Sequence, residues 1–286
     1  MKLSVYTLAC PEFTFEQAAA KLVQHGIPGV EWRVGKVTKE ITFDPRDPGR
    51  FWSSNRATIP QDDVENVAKR VAKITADHGL KASILAGAPQ PTELDQIRRE
   101  MAAAQTLGAF AVRVAAGPVA ADIVAAFDSS REAWEAVEDL ARRTGVKALV
   151  EIHHGTLIPT ASATRRFVQD RDPKHVGVLY DPGNMVWEGT ERPDYALQMI
   201  RPWLAHVHVK NARAFIEGAD ERRCLRFAYR WCSLRTGMVN WAAIVAALRK
   251  VGYDGFLSLE DFTPETQADA KLADFADLFK QILGSG

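Results

Sequence analysis

Short apolar runs of strand character alternate along this chain with longer stretches whose apolar positions recur at helical spacing. The strand-like runs are Lys2–Thr7, Gly29–Trp32, Lys81–Leu85, Ala109–Val114, Lys147–Ile152, Val176–Tyr180, Leu204–Val209 and Gly255–Leu259. Helical periodicity covers Phe15–His25, Gln61–His78, Thr92–Leu107, Val119–Arg143 (with a break expected near Asp128–Ser129), Ala161–Gln169, Tyr195–Ile200, Trp241–Val251 and Gln267–Leu283. Thr14 precedes the first helix as an N-cap, and Gly26, Gly79 and Gly252 stand where helices should stop. Eight strand-then-helix units at this spacing predict one domain over residues 1–286, an α/β protein with a parallel sheet closed into a (β/α)8 TIM barrel. An open doubly wound sheet is the structural rival, but no G-x-G-x-x-G follows a strand, which weakens its dinucleotide-binding form.

Two connections exceed simple joints. Residues 33–60 follow the second strand and carry Phe51 and Trp52, and residues 211–238 follow the seventh and carry Trp231 and a series of arginines. Long connections in compact domains are often lids or binding loops, so both are expected to cover the catalytic face. Packing on a second subunit, in a homo-oligomer, is the other reading.

The polar residues fall where a barrel does its chemistry. In KALVEIHHG (147–155), Leu149, Glu151 and His153 share one strand face while Val150 and Ile152 share the other. Three later strands also end in a metal-ligating type, at Asp181 (VGVLYD), His208 (LAHVHVK) and Glu260 (GFLSLE). Singly, each has an ordinary explanation: an ion pair between Glu151 and Arg113, a DPGN turn, a hydrogen-bonded core histidine, a solvated carboxylate. Jointly, they occupy equivalent ends of four strands expected to be adjacent, about 5 Å apart, and so can converge on one centre. Three carboxylates and one imidazole suit one divalent cation, Mn2+ first, with Mg2+, Co2+ or Zn2+ also compatible, and leave positions for water or substrate oxygens. A structural zinc site would more often use thiolates.

Composition narrows the partners. The hydrophobic fraction is 47% and the charged fraction 25%, and 36 basic residues balance 36 acidic ones. Neutrality argues against nucleic-acid or anionic-membrane capture. Cys10, Cys224 and Cys232 form no C-x-x-C and are expected as free thiols. No apolar run is long enough to span a bilayer, and the N-terminus lacks a signal-peptide pattern, so the expected location is cytoplasmic.

VEIHHG, YDPGN, HVHVKN and GYDGFLSLE, with GVEWR near the start and TGMVNWAAIVAALRKVGYDG near the end, resemble the xylose isomerase-like barrel superfamily of sugar and sugar-phosphate isomerases and epimerases. The resemblance implies metal roles for Glu151, Asp181, His208 and Glu260, and acid/base roles for Glu151 and Glu260. It places His153 at a substrate-contacting histidine; Glu31 and Lys210 are further candidates for orienting substrate hydroxyls. Ile152, His154 and Asn211 depart from the family's E-N-H-G-G and H-x-K-D patterns. The expected activity is isomerisation or epimerisation of a carbohydrate ketone through proton transfer beside a metal-polarised carbonyl. Dehydration of a cyclitol or keto acid is the alternative on the same scaffold. An abasic-site endonuclease relative is disfavoured, because the third and fourth strands run into Ala86-Gly87 and Ala115–Gly117 instead of histidines. A barrel that binds a ligand without turning it over is a further class.

Overall fold

The computed structural model describes residues 1–37, 41, 43–47 and 49–284. Its strands are β1 (Lys2–Val5), β2 (Gly29–Gly35), β3 (Thr58–Pro60), β4 (Lys81–Ala86), β5 (Ala111–Arg113), β6 (Lys147–Glu151), β7 (Val176–Tyr180), β8 (Leu204–Val209), β9 (Asn211–Ala219), β10 (Leu225–Cys232) and β11 (Phe256–Leu259). Nine of them form one sheet in the order β1-β11-β8-β7-β6-β5-β4-β2-β3, every pair parallel. A parallel bridge between Tyr6 and Glu31 joins the β1 and β2 sides, so eight strands close into a barrel and β3 is an extra strand on β2. This is the predicted TIM barrel, in one domain.

The helices lie between successive strands as the periodicity predicts: α1 (Phe15–Gln24), α2 (Val64–Asp77), α3 (Leu94–Leu107), α4 (Ile123–Thr144), α5 (Ala161–Val168), α6 (Pro182–Glu188), α7 (Pro193–Ile200), α8 (Trp241–Lys250) and α9 (Ala268–Gly284). Thr14 caps α1 through a reciprocal box with Gln17. Gly145 ends α4 at φ +73°, a left-handed conformation that costs glycine nothing.

Three local expectations are corrected. α4 runs unbroken through Asp128 and Ser129, because half-buried Phe127 before them and buried Ser130 and Trp134 after them keep one face on the core. DPGN is not a plain turn: Asp181 N-caps α6, accepting from Asn184 N, with Pro182 at the first helical position. Residues 211–238 are mostly the antiparallel ribbon β9–β10, whose period-2 alternation was hidden by its many arginines. The 33–60 connection includes the end of β2 and all of β3; residues 38–40, 42 and 48 lie outside the described residues.

Strand alternation sorts the core into two compartments. Val150, Val178, Val207 and Leu257 point outward into the layer beneath the helices. Tyr6, Ile84, Ala111, Leu149 and Leu179 point inward and fill the barrel. The inward set continues toward the C-terminal strand ends as charged and polar residues, and there the apolar interior stops.

Candidate metal centre

Glu151 is the last residue of β6, Asp181 follows β7, His208 lies near the end of β8, and Glu260 follows β11. Each offers one ligand atom, and these atoms all lie within 4.8 Å of one another. His208 is the hub. Its Nδ1 stands 3.2 Å from Glu151 Oε1, 3.2 Å from Glu260 Oε2 and 3.7 Å from Asp181 Oδ2. Its ring stacks on Tyr6, centroids 5.6 Å apart.

A second cluster, Glu31, His206 and His208, shares the hub. Glu31 Oε2 lies 2.8 Å from His206 Nε2, and Glu31 Oε1 lies 3.0 Å from His208 Nε2. All three side chains are fully buried. Both contacts are at hydrogen-bond distance, so Glu31 and His206 support His208 from behind. Glu31, expected to orient substrate, has both its oxygens on histidines in the barrel interior.

Lys210 is likewise in the interior. Its Nζ lies 2.8 Å from Asp181 Oδ2 and 2.5 Å from Glu260 Oε2, beneath the rings of Trp231 and Phe262 at 4.7 and 5.2 Å. Glu260 Oε2 thus sits at ion-pair distance from both Lys210 Nζ and His208 Nδ1, in hydrogen-bond geometry with neither. The Arg113 ion pair considered for Glu151 is present: Nη1 donates to Glu151 Oε2 at 2.7 Å, and Nε donates to Gly87 O at 2.7 Å. His153 is half-buried beside Glu151 and lines a cavity of about 250 Å³ with Arg113 and Thr156.

The charges fit a divalent cation. Four buried carboxylates (Glu31, Glu151, Asp181, Glu260) face two cations (Arg113, Lys210), which leaves two negative charges over when the imidazoles are neutral. Burial opposes ionisation of Glu151, but Arg113 and His208 outweigh it and hold its carboxyl well below the usual range. Burial likewise opposes ionisation of Glu260, yet Lys210 and His208 pull it down to about 2. Burial disfavours protonated His208, but Glu31 and Glu260 raise its pKa well above the ordinary value, so the cluster draws in positive charge. The three-carboxylate, one-imidazole donor set matches a hard divalent ion.

Sequence reasoning missed Asn184. Its Nδ2 lies 3.2 Å from Glu151 Oε1 and 2.9 Å from Asp181 Oδ2, and its Oδ1 faces His154 Nδ1 at 3.1 Å, so one amide ties two candidate ligands to the departing histidine. The signal was an Asn three residues after a capping Asp. His154 in turn stacks on Trp187, centroids 5.0 Å apart. Asn211, the other departure, knits the ribbon to the barrel: its Nδ2 donates to Leu234 O and Val239 O at 2.8 and 3.0 Å. The three cysteines are free thiols.

The chain belongs to the xylose isomerase-like TIM barrel family, whose sequence model matches residues 19–281. Proteins named as dehydratases and epimerases are among those it resembles. Among curated relatives, an inosose dehydratase of Geobacillus thermodenitrificans (strain NG80-2) is 29% identical over 129 residues, 43% of this chain and 42% of that protein. One from Lacticaseibacillus casei is 27% identical over 133 residues, 44% of each chain. The matches thus span less than half the length of these relatives. Among solved structures, a 3-keto-D-glucoside 4-epimerase from E. coli superposes with a TM-score of 0.70 at 20% identity, covering 98% of this chain and 99% of that one. The zinc-bound IOLI protein gives 0.72 at 16% identity, covering 100% and 99%. At these identities the likeness shows the fold. Among the described residues no helix is long and apolar enough to cross a membrane.

Proposed function

We propose that this protein is a divalent-metal-dependent isomerase or epimerase of a sugar, sugar phosphate or related polyol ketone. Glu151, Asp181, His208 and Glu260 would hold the ion, with Mn2+ the favoured metal. When bound, such an ion polarises a substrate carbonyl and offsets the negative charge that develops on its oxygen. One observation carries the reading: Glu151 and Glu260, from non-adjacent strands, flank His208 Nδ1 at the same 3.2 Å. Two carboxylates brought to one centre from separate strands could each address a different face of a substrate carbon. One takes the proton beside the carbonyl and the other returns a proton to the opposite face. Arg113 keeps Glu151 ionised and so able to accept, while Lys210 holds Glu260. His153, beside Glu151, is suited to orienting a hydroxyl.

Dehydration is the second reading, favoured by the resemblance to inosose dehydratases. It would share the proton removal and then expel a β-hydroxyl, with Lys210, kept protonated by Asp181 and Glu260 despite burial, as the proton source. Incubation with Mn2+ and a panel of ketoses, ketose phosphates and cyclitol ketones in deuterated water tests both. The first reading expects solvent deuterium in a substrate epimer or isomer. An unsaturated, ultraviolet-absorbing product would favour dehydration, and no exchange with any substrate would end both.

A further inference from the structure

A larger cavity opens on the β2, β4 and β5 side of the barrel mouth, and the proton transfer above makes no use of it. Its volume is about 510 Å³, within the range of small-molecule sites. Arg33 lines it from β2 and is only 7% exposed. Its Nη1 donates to Thr58 Oγ1 at 2.5 Å, and among the described residues no carboxylate is paired with it. A guanidinium buried without a counter-charge is costly unless something supplies one.

The fold cuts out space for this group. The Arg33 guanidinium packs over Gly35, where a Cβ would stand 2.7 Å from Nη2. Gly35 has no left-handed backbone, and a side chain there would force the Arg33 guanidinium to shift. Gly87 repeats the device across the cavity, since a Cβ there would collide with the carboxyl of Glu100. Glu100 is 1% exposed; its Oε1 accepts from Gln96 while Oε2 has no partner. Arg113 also lines the cavity, but its Nη1 and Nε are committed to Glu151 and Gly87. Arg113 therefore connects the cavity to the metal cluster, and Arg33 is the cation left to meet a ligand.

We propose that this cavity seats the far end of the substrate, where Arg33, with Lys36 at the exposed rim, binds a carboxylate or phosphate and Glu100 Oε2 meets a neighbouring hydroxyl. The inference rests on the proposed carbonyl chemistry for the other end of the molecule. It names the substrate class as an anionic polyol ketone, because a planar guanidinium fork matches two anionic oxygens and discriminates against a neutral terminus.

Calorimetric titration of the full chain, with and without Mn2+, using ribonate, ribitol 5-phosphate and ribitol tests this without turnover. At least one anion should bind about tenfold tighter than ribitol, the scale of one charge-assisted contact, and which one does so separates carboxylate from phosphate. Arg33→Met should erase that preference, and Arg33→Lys should restore part of it. Equal binding of all three ligands, or an unchanged preference in a folded Arg33→Met protein, overturns the proposal. Should both variants fail to fold, crystals of the wild-type chain soaked with the tighter anion decide: its charged group must lie on Arg33, and density elsewhere overturns the site. Deuterium exchange into neutral ketoses tests the proton chemistry alone, so either reading can fail while the other stands.

Discussion

Glu31 Oε1 lies 3.0 Å from His208 Nε2 in the sealed barrel interior, on the far side of the ring from the carboxylate cluster. A carboxylate there fixes the imidazole's orientation and, by accepting from Nε2–H, would leave Nδ1 to act as a metal ligand. Glu31→Gln replaces this acceptor with an amide of the same shape. It should weaken divalent-metal binding by about 10–100-fold, the usual scale for a partner behind a metal-bound histidine. Competition with a chromophoric chelator measures the change, and unaltered affinity in a folded variant would remove Glu31 from the metal centre.

Asn211 stands where relatives of this family often carry Asp, and its amide cannot be replaced by a carboxylate at low cost. Its Nδ2 donates to two backbone carbonyls, of Leu234 and Val239, while its Oδ1 accepts from Val239 N at 2.9 Å. Asn211→Asp would press a carboxylate oxygen against both carbonyls in a buried site. The expected loss is about 3 kcal/mol of stability, since a charged, unpaired group is more costly than a neutral one. Urea denaturation checks it; a shift under about 0.5 kcal/mol, the size of an ordinary surface substitution, would contradict the account.

These two residues mark what the sequence could and could not reveal. The four strand ends were legible because side chains alternate with a period of two, so Leu149 and Glu151 had to share a face whatever the rest of the fold. The contacts of Glu31 were not legible, because its partners His206 and His208 are 175 and 177 residues away and only the register of the closed barrel brings them together. That Arg33 has no paired carboxylate among the described residues is likewise a property of the packing, not of the sequence pattern. The β9–β10 ribbon hid its alternation among arginines, and DPGN, a common turn, proved to cap a helix that carries Asn184 into the site.

Glu100 gives a pH dependence of known sign. Burial is the main cause that lifts its carboxyl from 4.5 to about 7, against smaller opposing effects of Gln96 and Arg113. Between these two values the folded protein keeps a proton that the unfolded chain has released. This group's contribution to stability therefore falls as pH rises through that window and levels off above about 7. The full change is about 3 kcal/mol. Glu100→Gln lacks the titration, so the stability difference between variant and wild type should grow in the variant's favour from pH 4.5 to 7.5. Parallel urea curves for the two proteins would place the carboxyl in an environment no less polar than water.

The two-carboxylate proposal makes an asymmetric prediction for Glu151→Gln and Glu260→Gln. Each should lower overall conversion by at least about a hundredfold, the scale of a lost general acid or base. If the two groups address opposite faces of one carbon, however, neither variant should lose proton exchange with both epimers. The carboxylate that remains can still take and return the proton on its own face, washing solvent deuterium into one epimer without inverting it. Glu151→Gln should then exchange only the epimer that faces Glu260, and Glu260→Gln only the one that faces Glu151. Proton NMR of each epimer in deuterated water, with Mn2+ replaced by diamagnetic Mg2+ for the measurement, reads the two exchange rates separately. Loss of exchange with both epimers in both variants would mean that the pair acts as a unit on one face. Full conversion in either variant would mean that the proton is carried by another group.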